Sequence, residues 1–521
     1  MAPGPWLTAA FVIRTTVPSQ RRTRAERRPD VAGSVPNRHR LRLASIVTGV
    51  VALLALVWLG SSWRHAQSAG RVPPPPAGAQ STAVGAHLHD RHAAAARDPT
   101  SIGAIGPLCL AYHADMFYDH ATACYALAIE VGRGDWRWTY YRALIQSERG
   151  GGGTLVDSLR EVTERAPRFG PAWLRLGEAE FKAGRYDQAA DAWRRVTALE
   201  EPASTGGEPP HRAEVPLSAY AEFGLARVAM VQSDPARARD ILERLTTSVP
   251  QFGPAFRLLA DSDRAVGRST EADRAVYRAG RLPPFTPFAD PMVDELARES
   301  RNSTLLLRVA SEANLSLNAE WSEFLTRRAL EFDPDNPDVV VKLGRILRTV
   351  GRNDEALSFF LRYHEMVPGD YQGLAHIGSC LSALGRYAEA ESYFRRALTG
   401  LDDPMTHYNL GLLLALTDRL DEAAASYANA LERDPMLSDA RTNLATVLAR
   451  QGKLGQASRE LERVVEHDPE NAAARTNLGL VLLQQGSPGR AREHLEEAVR
   501  IDPTLRPAVD ALASITNPST R

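Results

Sequence analysis

The sequence predicts an all-α fold: a right-handed superhelical solenoid of about eleven helix-turn-helix repeats, preceded by one transmembrane helix. Three observations predict it. Ala440–Pro469 (ARTNLATVLARQGKLGQASRELERVVEHDP) recurs as Ala474–Pro503 (ARTNLGLVLLQQGSPGRAREHLEEAVRIDP) with a period of 34 residues, and a period in this range marks a stacked array. A column of small residues runs from that pair back to Cys109. Upstream of the array lies one uncharged apolar stretch, Leu43–Leu59.

Residues 1–42 form a basic tail with nine Arg against Glu26 and Asp30, a net +7 that leaves the rest of the chain at −8 behind a whole-chain value of −1. An acidic body argues against nonspecific nucleic-acid binding, which depends on neutralising phosphates. Residues 43–63 reach about the 20 residues needed to span hydrocarbon. With the arginines on one side, the positive-inside rule places the N-terminus in the cytoplasm and the body outside. The other reading of this stretch is a cleaved signal peptide ending near Ala66-Gln67-Ser68. Against it stand the long basic leader and an apolar core beyond the usual 7–15 residues.

Residues 64–101 are expected to be a Pro/Ala/His-rich linker. Pro73–Pro76 favours stiff extended structure, and Ala, Gly, Ser and His follow. His87, His89, Asp90 and His92 carry metal-ligand chemistry, but a flexible tract has no surrounding groups to orient ligands, so no metal is expected.

From residue 102 onward the small column falls at Cys109, Ala143, Gly177, Ala226, Ala260, Ala310, Gly344, Gly378, Gly411, Ala445 and Gly479. A second column, mostly Ala, lies twelve positions later. Each unit reads as two helices with apolar residues at i, i+3, i+4 and i+7. A Gly such as Gly184, Gly351 or Gly452 marks the turn between them, and Pro often ends the second helix, as at Pro368, Pro435 and Pro469. Close helix approach explains the small columns, with Trp193, Phe360, Phe394, Tyr427, Leu461 and Leu495 expected to fill the gap to the next unit.

Segments such as Trp173–Val196 (WLRLGEAEFKAGRYDQAADAWRRV) and Leu374–Ala397 resemble the tetratricopeptide repeat, with L-G/A-x-x-Y on helix A and A-x-x-x-F-x-x-A on helix B. The resemblance covers residues 102–505. It implies that helix A lines the concave side of the superhelix and that a protein or peptide partner binds there. Leu155, Ser322 and Thr326 depart from the pattern in the units around Ala143 and Ala310.

Two spacers break the phase. The array therefore divides into units 1–3 (102–200), an insertion loop (201–217), units 4–5 (218–284), a connector (285–302) and units 6–11 (303–505). Residues 506–521 close it as a capping helix and tail, which the last unit needs to cover its apolar face.

The sequence shows no nucleotide loop: Gly150–Gly153 lacks the Lys-Ser/Thr that would follow. No HExxH, GxSxG or paired-carboxylate arrangement is present, and only 18 residues follow Pro503. The expectation is a non-catalytic chain with no cofactor and no small-molecule substrate. Three cysteines lack CxxC spacing. Cys109 and Cys124 sit on the two helices of unit 1, either as a disulfide, permitted outside the cytoplasm, or as two buried small residues; Cys380 reads as core.

Asn409, Asn443 and Asn477 recur at spacings of 34, each immediately before the Leu of helix A. An amide both donates and accepts, so a ladder of them can hold an extended backbone without demanding a sequence. Drift among recently duplicated units would leave the same trace. The functional expectation is a protein-interaction scaffold or adaptor on the outer face of a bacterial cytoplasmic membrane. The alternative is an assembly or structural factor of a cell-envelope, secretion or cytochrome c maturation complex, the last on resemblance of architecture alone.

Overall fold

The computed structural model describes residues 67–76, 83–199, 215–315 and 318–516. The basic tail 1–42, the expected anchor 43–63 and the insertion up to residue 214 lie outside the described residues. Among the described residues no helix is long and apolar enough to cross a membrane.

The described residues form 25 α-helices and no strand, all within the unit His65–Arg521. Helix α1 is Ala83–Arg97. Eleven helix pairs follow. Unit 1 is α2 (Ile102–Ala114) and α3 (Tyr118–Val131); unit 2 is α4 (Trp136–Glu148) and α5 (Gly152–Arg165). Unit 3 is α6 (Gly170–Lys182) and α7 (Tyr186–Thr197), unit 4 is α8 (Leu217–Val231) and α9 (Pro235–Ser248), and unit 5 is α10 (Gly253–Ala265) and α11 (Ser269–Gly280). The connector holds α12 (Pro291–Glu299). Unit 6 is α13 (Ser303–Leu315) and α14 (Ala319–Phe332), unit 7 is α15 (Pro337–Thr349) and α16 (Asn353–Met366), and unit 8 is α17 (Tyr371–Ala383) and α18 (Tyr387–Leu398). Unit 9 is α19 (Pro404–Leu416) and α20 (Leu420–Arg433), unit 10 is α21 (Ser438–Arg450) and α22 (Leu454–His467), and unit 11 is α23 (Ala472–Gln484) and α24 (Pro488–Ile501). Helix α25 (Arg506–Thr516) covers α24.

Helix A ends where the chain must turn through the left-handed region, which Gly enters without a Cβ penalty. Gly351 and Gly385 do so at φ 79° and 76°, whereas Ser233 and Asp418 hold the same place in units 4 and 9 at φ 62° and 63°. Within a unit, the small column of helix A receives the large residue of helix B. A Cβ on Gly378 would lie 2.8 Å from the Phe394 ring, and one on Gly177 would lie 2.4 Å from the Trp193 indole. The aromatics therefore seat on the glycine of their own unit, and Phe360 also reaches the next, its ring 4.9 Å from that of His376 in unit 8. Trp193 does both, because Gly224 of unit 4 meets its other side.

The pattern breaks in units 2 and 6 do not disturb the helix pairs. In unit 6 the buried Ser322 hydroxyl donates to Ala310 O at 2.7 Å and Thr326 donates to Ser322 O at 2.7 Å. Intrahelical and interhelical carbonyls thus satisfy the polar atoms where alanine would ordinarily stand.

Helices A approach one another along the stack, as α6 does α8, α15 does α17 and α21 does α23, while no helix B reaches the next helix B to the same degree. Helices A therefore form the inner side. Stacking stops between units 5 and 6, where α11 does not pack closely on α13. Instead α11 meets unit 10: it packs on α22, Tyr277 hydrogen bonds Ser438 at the start of α21, and Arg281 lies 3.5 Å from Asp468 just past α22.

Residues 83–97, expected as linker, are helix α1. Its composition is rich in Ala, the best helix former, and Leu88 and Ala95 are fully buried. The stretch before it is docked as well: Val72 is buried, and Tyr112 donates its hydroxyl to Pro73 O at 2.8 Å. His89 Nδ1 faces Gly85 O at 2.9 Å, and no cluster of three metal-ligating side chains exists among the described residues.

Candidate peptide-binding groove

The inner face has two regions that differ in one respect: the first already holds a length of chain. Arg257 turns the chain into this region, its guanidinium donating to Ala279 O, Leu282 O and Pro283 O at 2.9–3.2 Å. From there residues 285–302 cross helix A of four successive units in reverse order. At unit 4, Tyr220 on α8 donates to Pro287 O at 3.0 Å. At unit 3, the Arg175 guanidinium on α6 lies 5.0 Å from the Phe288 ring centroid and donates to Asp290 Oδ2 at 2.7 Å. At unit 2, on α4, Tyr140 donates to the same oxygen at 2.7 Å and Tyr141 donates to Glu295 Oε2 at 2.5 Å. At unit 1, Ser300 donates to Ala114 O at 2.8 Å and the Arg301 amide donates to Asp115 Oδ1 at 2.8 Å.

Asp290 joins these contacts to local structure. Its Oδ1 accepts from Met292 N at 3.1 Å, capping α12, while Oδ2 takes the tyrosine and the arginine. A carboxylate is favoured at a helix N-terminus, so the group that starts α12 is also the group that holds it in the groove. The carboxylate is almost fully buried, with 3% exposure. Burial pushes the Tyr140 and Tyr141 hydroxyls well above the usual tyrosine range, so both remain protonated donors. A cavity of about 210 Å³ remains beside the connector, lined by His113, Ser147, Glu148, Phe288, Arg308 and Val293 among others.

The second region, helices A of units 7–11, carries no such segment among the described residues. Here lie the three asparagines expected as the site. Asn409 on α19, Asn443 on α21 and Asn477 on α23 are each half-buried. Asn409 Nδ2 donates to Ser379 Oγ at 3.5 Å, and Asn443 Nδ2 donates to Tyr408 Oη at 3.3 Å. In both, the amide oxygen keeps its acceptor capacity. Met405 and Leu416, 46% and 67% exposed, flank Asn409 along α19 at i−4 and i+7, adding apolar surface to the same side. The column continues upstream as His376 and Lys342. Lys342 Nζ donates to Ser311 Oγ at 2.6 Å, and burial with Arg345 nearby lowers its amine to about 8. Exposed Arg345 and Arg348 follow at i+3 and i+6, so the unit-7 end of this groove is basic.

The two regions share one register. Tyr141 and Arg175 each stand two residues before the small residue of their helix A (Ala143 and Gly177), as Asn409, Asn443 and Asn477 do. Sequence reasoning followed the asparagines because they repeat; Tyr141 and Arg175 do not repeat, and their shared register was the signal that could have found them.

Cys109 and Cys124, the other residues singled out, form a disulfide joining α2 to α3 in unit 1. Cys380 is a buried free thiol, pushed up to about 11 by burial.

The family model described as "Tetratricopeptide repeat" matches residues 156–207, 341–404, 377–436 and 442–505. A relative, the small glutamine-rich tetratricopeptide repeat-containing protein 2 of Mycosarcoma maydis, is 32% identical over 78 residues, which are 15% of this chain and 22% of that protein. The chain thus spans about a fifth of the length of the curated relative it matches. Among solved structures, similarity is found to YrrB, a TPR protein with an unusual peptide-binding site (24% identity, 36% of this chain and 96% of that one, TM-score 0.31). It is also found to the APC/C hetero-tetramer Cut9–Hcn1 (14%, 78% and 94%, 0.39) and to the type IV pilus biogenesis factor PilW (20%, 40% and 98%, 0.38). Over these matched segments the chain carries tetratricopeptide repeats.

Proposed function

We propose that this chain is a non-catalytic interaction scaffold that holds an extended peptide segment of a partner protein in the groove of units 7–11. Tetratricopeptide repeats bind protein or peptide partners in general. The observation that carries the reading for this chain is the register of its inner face. At units 2 and 3 the column two residues before the small residue grips a chain segment through Tyr141 and Arg175. At units 9–11 the same column presents Asn409, Asn443 and Asn477 to a groove that no described residue outside the helices fills. Backbone amides and carbonyls suit that ladder, Met405 and Leu416 suit apolar side chains, and Lys342, Arg345 and Arg348 suit an acidic end near unit 7.

In this reading the scaffold stands on the outer face of the bacterial cytoplasmic membrane, tethered by residues 43–63 with residues 1–42 inside. A photo-crosslinking residue placed at 409 or 443 should capture the partner, and one at 463 on the outer side of α22 should not. Equal capture from both faces, or capture only from 463, refutes the groove. Retention of the protein in carbonate-washed membranes supports the anchor, and a soluble product beginning near Ala69 refutes it.

A further inference from the structure

We propose that the groove across helices A of units 1–4 is a second peptide-binding site, which the chain fills with its own residues 285–299, and that its ligand class is an acidic segment with an aromatic residue two positions before the anchoring Asp. This goes beyond the reading of units 7–11 and does not depend on it. Four observations carry it.

The segment lies as a ligand would, crossing one helix A after another from unit 4 to unit 1 and touching Arg175 and Tyr141 on their inner face. Its polar anchors converge on one carboxylate: Tyr140 and Arg175 both donate to Asp290 Oδ2 at 2.7 Å, and Arg175 also covers the Phe288 ring. The receptor chemistry is therefore a guanidinium and a phenol aimed at a carboxylate, with a cation–π seat for the aromatic beside it. Two carboxylates of this net-acidic segment meet cations, Asp290 at Arg175 (2.7 Å) and Glu299 at Arg91 of α1 (3.0 Å), while Glu295 accepts from Tyr141. Finally, the seat is incompletely filled, although Leu296 and Ala297 of α12 are buried against units 1 and 2. A cavity of about 210 Å³ runs beside the segment, and Phe285 at its start is 59% exposed.

A tethered ligand of this kind competes at an effective concentration on the order of millimolar. A free peptide binding at micromolar strength is then excluded from the wild-type chain and admitted when the tethered copy is weakened. The probe is a fluorescent synthetic peptide of residues 284–300, titrated by anisotropy into the full-length chain. Asp290→Ala in the chain removes the cis anchor and leaves the receptor intact. The expected result is peptide binding at least tenfold tighter to Asp290→Ala than to wild type. That binding should be lost when Arg175→Ala is added to the chain, and lost when the peptide itself carries Asp290→Ala. Equal binding to wild type and Asp290→Ala, no binding to a folded Asp290→Ala, or binding indifferent to Arg175 overturns the proposal.

Should Asp290→Ala not fold, hydrogen exchange of the wild-type chain decides. A cis ligand opens alone, so the α12 amides exchange while α4 and α6 stay protected. Exchange of α12 only together with α4 and α6 makes it a permanent part of the core and overturns the proposal.

Discussion

Gly378→Ala is expected to destabilise unit 8 in the wild-type chain and to stabilise it once Phe394 is removed. Gly378 sits mid-helix in α17, where Ala is favoured by about 1 kcal/mol on propensity alone. The added Cβ, however, would lie 2.8 and 2.9 Å from Phe394 Cδ1 and Cε1. A ring edge inside a filled core cannot swing aside, and overpacking of this kind costs about 1–3 kcal/mol. The net effect in wild type is a loss of up to about 2 kcal/mol. Phe394 is fully buried, so Phe394→Ala costs about 3–5 kcal/mol. The upper half of that range applies because the glycine opposite has no side chain to fill the space. In that background Gly378→Ala meets no ring and keeps its propensity gain, so its sign reverses. The coupling is about 1–3 kcal/mol, well above the roughly 0.5 kcal/mol expected of independent sites. Stacked repeats open locally, so the assay is hydrogen exchange across α17 and α18 in the four variants, where each tenfold change in protection is about 1.4 kcal/mol. Additive changes, or a Gly378→Ala that stabilises both backgrounds, would refute the seating of the aromatic on the glycine.

Acid is expected to loosen the N-terminal units. Burial, with Arg308 beside it, holds His113 down at about 3, and burial with Arg301 and Arg91 holds His87 at about 4. Both are depressed below the ordinary 6.5, so the unfolded chain binds more protons and stability falls as pH drops through 6.5 toward those values. Asp115 opposes them: burial raises it to about 6, so between about 6 and 3.8 it favours the folded state as pH falls. From pH 8 to 5 the net loss is of order 2 kcal/mol. Tryptophan fluorescence reads it during urea unfolding, since every Trp of the chain lies at or before residue 321; a midpoint that rises on acidification would contradict the assignment. Reduction of the Cys109–Cys124 disulfide, or Cys109→Ala with Cys124→Ala, should cost unit 1 about 3 kcal/mol on the chain-entropy model. The same urea experiment with and without reductant checks it, and an unchanged midpoint would show that the bond does not constrain the unfolded chain.

The repeat units were legible because their packing is local. A small residue, a large residue and a turn recur at fixed offsets, and most of each unit's packing is within itself and against its neighbours, so Gly378 and Phe394 announce their contact from one stretch of chain. Helix α1 was legible in principle from its alanines but was read through Pro73–Pro76 before it; what orders it is burial of Leu88 and Ala95 against the rest of the fold. The connector's place was not legible. Asp290 reaches Tyr140 and Arg175 across 150 and 115 residues, and no period or motif links them. The asparagine column was visible by repetition, whereas its counterparts Tyr141 and Arg175 differ in chemistry and show their kinship only by register.

The most direct test of the scaffold reading is the triple substitution Asn409→Ala, Asn443→Ala and Asn477→Ala, measured against the partner captured by crosslinking at the groove. Each amide contact contributes about 1 kcal/mol, so the account predicts a loss of roughly a hundredfold in affinity with the urea midpoint nearly unchanged. Undiminished affinity in a folded triple variant would contradict it.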